Sequence, residues 1–181
     1  MKNLKSNKGF TLIEILVVLA LIGVSMGVIG ISSSSSSMNN LRKCTNAANS
    51  LLSRCRINSM YRAEPVFIEL TVSGGNIVGR YIERAFNEED EEATWRTEEQ
   101  ILGRANIEVL YFIEGEDEPR NIAHDPLRVG FTRRGALVLV DAEGMQLAGE
   151  PRLDEIRFTN GSITYVIDII PETGNRRVRA G

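Results

Sequence analysis

The sequence predicts an α+β fold, with one long N-terminal helix packed against a mainly antiparallel β-sheet domain. Three features carry that prediction. From Gly9 to Ile31 the chain is apolar apart from Thr11, Glu14, Ser25 and three glycines. The stretch after Gly9 would extend about 33 Å as a helix, which matches the hydrocarbon core of a bilayer. Beyond it, apolar residues recur at helical spacing as far as about Arg62. After Pro65, short apolar runs alternate with turn pairs such as Gly74-Gly75 and Asn160-Gly161, as strands and hairpins do.

In chain order, the six serines from Ser32 to Ser37 follow the apolar run. Serine hydroxyls compete for backbone hydrogen bonds, so the helix is expected either to loosen here or to give way to a polar linker. Met38, Leu41, Cys44, Ala48, Leu51, Leu52 and Cys55 then form one apolar face, while Asn40, Arg42, Lys43, Asn46, Ser53, Arg54 and Arg56 occupy the other. Pro65 closes this helix and biases Glu64 away from helical geometry. Expected strands are Val66–Val72 and Ile77–Glu83 around Ser73-Gly74-Gly75-Asn76, then Ile107–Ile113, Phe131–Thr132 and Ala136–Val140 around Arg133-Arg134-Gly135. Met145–Ala148 follows the turn Asp141–Gly144, and Ile156–Thr159 and Ile163–Ile169 flank Asn160-Gly161. These strands are expected in a single sheet that covers the apolar face of the helix.

Glu14 is the only charged side chain in the apolar run. A charge inside a membrane span costs about 2.5–3.5 kcal/mol on insertion scales and persists mainly where it is paired. Cleavage after Gly9 would supply a partner, because Phe10 would then carry a free amine one helical turn before Glu14. The alternative is that Glu14 tilts toward the headgroups at the helix start, where the macrodipole also favours a carboxylate.

Lys8-Gly9-Phe10-Thr11-Leu12-Ile13-Glu14 ahead of a long apolar helix resembles the prepilin leader of type IV pilins and type II secretion pseudopilins. The resemblance implies a pilin-like fold, cleavage between Gly9 and Phe10 by a prepilin peptidase, N-methylation of Phe10, and docking of subunits through Glu14. It divides the chain into a leader (1–9), a transmembrane and assembly helix (10–31), an amphipathic continuation (32–64) and a periplasmic β-rich region (65–181). Implied partners are other pilins or pseudopilins in a filament, the inner membrane and an inner-membrane assembly platform. Gly23-x-x-x-Gly27, with Gly30 one turn on, would permit close helix approach. The best subtype match is a minor pseudopilin of the GspH/FimT type. Many type IV pilins close a C-terminal loop with a disulfide, whereas this chain has no cysteine after Cys55.

Charge is consistent with this topology. Lys2, Lys5 and Lys8 precede the apolar run, so the positive-inside rule keeps the leader cytoplasmic and sends the rest across the membrane. Loss of the leader leaves 18 Lys and Arg against 24 Asp and Glu, a poor global match to nucleic acid. The competing reading is a secretory signal cut near the serines, although its apolar core is usually only about 7–15 residues long. That reading would make the chain a signal-anchored envelope protein of unknown activity.

Cys44 and Cys55 lie three helical turns apart, about 16 Å along the axis, whereas a disulfide requires Cα atoms within about 7 Å. They are expected as two small buried side chains on one helix face.

No enzyme chemistry is indicated. His124 is the sole histidine and reads as a surface residue of a polar loop, with no metal set around it. Nucleophile elbow, phosphate loop and dinucleotide fingerprint are all absent from the sequence, and no cofactor is implied. Glu114 with Glu116, and Asp154 with Glu155, read as solvated charge. The acidic run Glu88, Glu89, Asp90, Glu91 and Glu92 lacks the alternating ligand pattern of a calcium loop, although major pseudopilins bind calcium in a loop. Asn160-Gly161-Ser162 fits an N-glycosylation pattern, but the hairpin accounts for it.

The C-terminal Gly174-Asn175-Arg176-Arg177-Val178-Arg179 partly resembles the G-R-x-R tail of DNA-binding minor pilins, with Asn175 interposed. Arg176, Arg177 and Arg179 are therefore candidate phosphate contacts for DNA. A solvated edge strand or a subunit contact is the reading preferred here.

Overall fold

The computed structural model describes residues 12–87 and 92–181. It divides into two compact units, with the boundary between Met38 and Asn39. One helix, α1 (Leu12–Tyr61), runs from the first unit into the second. The serine run interrupts nothing: 32–37 is helical throughout. Serine costs only about half a kcal/mol per residue relative to alanine inside a helix, too little to break one that is supported by packing further along.

Within the second unit the described residues form ten strands in two antiparallel sheets, not the single sheet expected. The first contains β1 (Val66–Ser73), β2 (Asn76–Asn87), β3 (Glu92–Arg104), β6 (Leu127–Phe131) and β7 (Leu137–Leu139), in the order β3-β2-β1-β6-β7. The second contains β4 (Glu108–Ile113), β5 (Arg120–Asn121), β8 (Leu153–Thr159), β9 (Thr164–Ile170) and β10 (Asn175–Ala180), in the order β10-β9-β8-β4-β5. Both turn pairs form hairpins as expected, Gly74-Gly75 between β1 and β2 and Asn160-Gly161 between β8 and β9. Expected strand Met145–Ala148 reduces to an isolated bridge between Val140 and Gln146. The largest omission from the sequence reading is β3, a 13-residue edge strand paired with β2 along its whole length.

The apolar face of the helix is buried as its spacing requires. Leu41, Cys44, Ala48, Leu51, Leu52 and Cys55 pack into one cluster with Ile68 and Leu70 of β1, Tyr81 of β2, Val109 of β4, Ile156 of β8 and Ile167 of β9. The core thus draws on the helix and both sheets, and each large aliphatic side chain fully buried there contributes about 1.5–3 kcal/mol. Met38, expected on this face, is instead 43% exposed. Thr45 is fully buried and satisfies its hydroxyl by donating to the Leu41 carbonyl at 3.0 Å.

Cys44 and Cys55 are free and buried. Burial pushes both thiols up to about 12, because the apolar surroundings oppose the thiolate.

Candidate functional site

The N-terminal candidates divide between described and undescribed positions. Gly9 and Phe10 lie outside the described residues, as does the Glu14 side chain. Around Glu14, Ile13, Ile15, Leu16, Val17, Val18 and Leu19 are all exposed, from 49% to 71%. Consecutive residues cover every side of a helix, so these described side chains present apolar surface on all sides. Among the described residues no helix is long and apolar enough to cross a membrane. The side chains at 20–31, on which the expected span depends, lie outside the described residues.

The C-terminal arginines sit on β10, an edge strand of the second sheet, and the strand separates them. Alternation sends Arg176 to one face and Arg177 and Arg179 to the other. Arg179 donates to both oxygens of Asp168, at 2.7 and 3.0 Å, and lies within 3.5 Å of Glu155. Arg177 is exposed, with no ion pair among the described residues. The three guanidiniums therefore do not converge on one phosphate-sized site.

Arg176 turns back onto α1. Its Nε donates to Asn49 Oδ1 at 3.1 Å, its Nη2 to Ser53 Oγ at 2.9 Å and its Nη1 to the Gly174 carbonyl at 3.1 Å. Its guanidinium also lies 5.5 Å from the centroid of the Phe131 ring. Arg56, one turn past Ser53 on α1, reaches the same β9–β10 turn, donating Nη2 to the Thr173 carbonyl at 2.7 Å and Nη1 to Asn175 Oδ1 at 3.2 Å. Burial, and then the like charge of Arg56, lowers the Arg176 pKa below its ordinary value. No carboxylate pairs with either arginine among the described residues.

Sequence reasoning missed this pair because Arg56 fell on the polar helix face and reads as solvated. The two residues are 120 positions apart, and only the return of β10 to the helix brings them together.

Elsewhere, His124 is exposed in its loop. Asp125 accepts from the Tyr111 hydroxyl at 2.8 Å and from Arg120 at 3.0 Å. Among the described residues no group of three or more His, Cys, Asp and Glu side chains is placed to hold a metal ion. The acidic positions 88–91 lie outside the described residues.

Residues 4–30 match the family model of the prokaryotic N-terminal methylation motif. The chain thus carries the prepilin-type signature of type IV pilins and pseudopilins, proteins that are structural subunits and not enzymes. No curated protein and no solved structure matches the chain.

Proposed function

We propose that this protein is a pilin-like filament subunit, in the position of a minor pseudopilin of a type II secretion system or a minor pilin of a type IV pilus. The observation that carries the reading is the methylation motif at residues 4–30, in which the described apolar side chains on either side of Glu14 are exposed. A prepilin peptidase cuts after Gly9 and Phe10 becomes the methylated N-terminus. The helix is held in the inner membrane as a single pass with the C-terminal region in the periplasm, and an inner-membrane assembly platform passes it into the filament. There, contacts with the helices of other pilins or pseudopilins replace lipid contacts. Glu14 pairs with the amine of Phe10, in its own chain or a neighbour's. The absence of a cysteine after Cys55 in this sequence favours a pseudopilin or a minor pilin. No enzymatic step is assigned.

Mass spectrometry of the mature N-terminus tests this directly. The expected first residue is N-methylphenylalanine, and a chain that begins near Ser32 would replace this reading with that of a secreted envelope protein. A Glu14→Leu chain is expected to be cut normally yet to stay out of the filament fraction.

A further inference from the structure

Arg56 and Arg176 present a charge problem that the described residues do not solve. Two guanidiniums lie against one turn, partly withdrawn from water, and their hydrogen bonds go only to neutral groups: two backbone carbonyls, two amide oxygens and a hydroxyl. Arg56 Nε is buried and has no hydrogen-bond partner among the described residues. A buried donor left in that state is costly, so the positive charge it belongs to is poorly compensated within the turn. The carboxylate of Glu172, next in sequence to Thr173, is engaged elsewhere, accepting from Arg152 at 2.9 Å.

The surroundings add positive charge and apolar surface. Gly135 packs on Arg56 so closely that a β-carbon there would lie 3.2 Å from Nε and 3.6 Å from the Met60 sulfur. Arg133 and Arg134, which lead into Gly135, are exposed and have no ion pair among the described residues. Met60 and Ile57 on the same end of α1 are 44% and 56% exposed. Arginine beside exposed methionine and aliphatic surface is the composition of a protein contact, whereas a free phosphate would need only the charge.

The matching surface is on the same chain. Glu114-Gly115-Glu116-Asp117-Glu118 follows β4 as an exposed turn with four carboxylates in five residues. Glu116 is engaged by Arg120, and Glu114 lies 3.8 Å from Arg152, but Asp117 and Glu118 have no ion pair among the described residues.

We infer that the patch formed by Arg56, Arg176, Arg133 and Arg134 receives the acidic turn Glu114–Glu118 of a second copy of this chain. The two surfaces differ, so in a filament the contact is heterologous and propagates copy to copy. Such propagation rests on the filament reading, whereas the contact itself does not.

Cysteine cross-linking of the full chain in cells that contain the prepilin peptidase tests the contact. Cys44 and Cys55 are buried, so cysteines placed at Arg134 in one copy and Asp117 in another are the ones exposed to copper–phenanthroline. The expected product has twice the chain mass, requires both substitutions and is absent when Ser162→Cys replaces Asp117→Cys. Adding Arg133→Glu to the first copy is expected to cut the yield about tenfold through like-charge repulsion. Adding Glu118→Arg to the second copy should restore it. An adduct of any other mass, or a yield indifferent to both charge changes, overturns the inference. Sedimentation of the same cells separates the two readings. Filaments without the adduct overturn the contact alone, the adduct without filaments overturns the filament reading alone, and absence of both overturns both.

Discussion

Gly103 on β3 faces Cys44 on α1 so closely that a β-carbon added to the glycine would lie 2.9 Å from the thiol sulfur. It would also meet the Cys44 β-carbon at 3.1 Å and the Ile107 Cδ1 at 3.4 Å. The bare backbone of an edge strand is therefore what lets the strand lie against the helix. Gly103→Ala is expected to destabilise the domain by about 1–3 kcal/mol, the usual cost of overpacking. Cys44→Ala removes the sulfur but keeps its β-carbon, so the double variant should recover part of that loss, with a coupling of about 1 kcal/mol. Urea unfolding of the four proteins in the cycle measures it, and strict additivity would show that the sulfur is not the obstacle.

The two thiols give stability a distinct alkaline limb. Their ordinary value is 9.0, and burial in the folded chain moves it to about 12. Because the folded state favours the protonated thiol, this stabilisation is complete below about pH 9 and is lost as pH climbs toward 12. Each thiol lowers the unfolding free energy by at most about 1.4 kcal/mol per pH unit across that window. Arginine and tyrosine ionisation is common to the wild type and to Cys55→Ala, so the difference between them isolates the thiol. The deficit of Cys55→Ala measured at pH 8 should shrink steadily above pH 9. In the same window an aromatic disulfide reagent should find two reactive thiols only after unfolding.

Glu69 of β1 is a buried carboxylate held from both sides, Oε1 accepting from Arg80 at 2.9 Å and Oε2 from Arg128 at 2.6 Å. Arg80 also donates to Glu99 at 3.0 Å, so a row of alternating charge crosses four strands in register. Breaking a fully buried pair costs about 3–5 kcal/mol. Here the arginine side chains keep about a third of their exposure, so Glu69→Gln is expected to cost nearer 2 kcal/mol. Glu98→Gln, which breaks an ion pair to Arg54 in which both side chains are about half exposed, should barely move the denaturation midpoint. Equal shifts for the two variants would mean that burial contributes nothing to the Glu69 cluster.

Much of this architecture was written in local pattern. The helix face from Leu41 to Cys55 follows from three-to-four spacing, and both hairpins follow from glycine in the turn, since Gly74, Gly75 and Gly161 all adopt positive φ. By contrast, β3 was not legible. Glu92 to Arg104 lacks apolar alternation because much of the strand faces water on both sides, and its pairing comes from β2. The division into two sheets was equally hidden, since it depends on β1 finding β6 and β4 finding β8 across long separations. At the candidate sites, Gly9, Phe10 and Glu14 are proposed from sequence alone, because a cleavage motif is local chemistry, and Gly9, Phe10 and the Glu14 side chain lie outside what the structure describes. The sequence groups Arg176 with Arg177 and Arg179, whereas the fold groups Arg176 with Arg56. Alternation along β10 says that neighbouring arginines diverge, but not which of them meets the helix.

The turn that carries this arginine pair depends on Gly174. Its φ is +62°, and a β-carbon there would lie 2.1 Å from the Gly135 carbonyl oxygen and 3.0 Å from the Phe131 ring. Its amide donates to Ile170 at 2.8 Å, while Leu137 of β7 donates to the Pro171 carbonyl at 2.8 Å. The β9–β10 turn is thereby fastened to the first sheet at a point where the opposing atom is backbone and cannot rotate away. Gly161 provides the comparison, with a φ of +86° but nothing within 4 Å of the added carbon. Gly161→Ala should lose only the conformational term, about 1 kcal/mol, whereas Gly174→Ala should lose about 2–3 kcal/mol or more because the turn must also retreat from Gly135. That retreat would draw the Thr173 carbonyl away from Arg56, so amide exchange at Leu137 and Gly174 should quicken in Gly174→Ala and stay unchanged in Gly161→Ala. Matching costs and exchange rates in the two variants would show that the close approach to Gly135 does not fasten the sheets together.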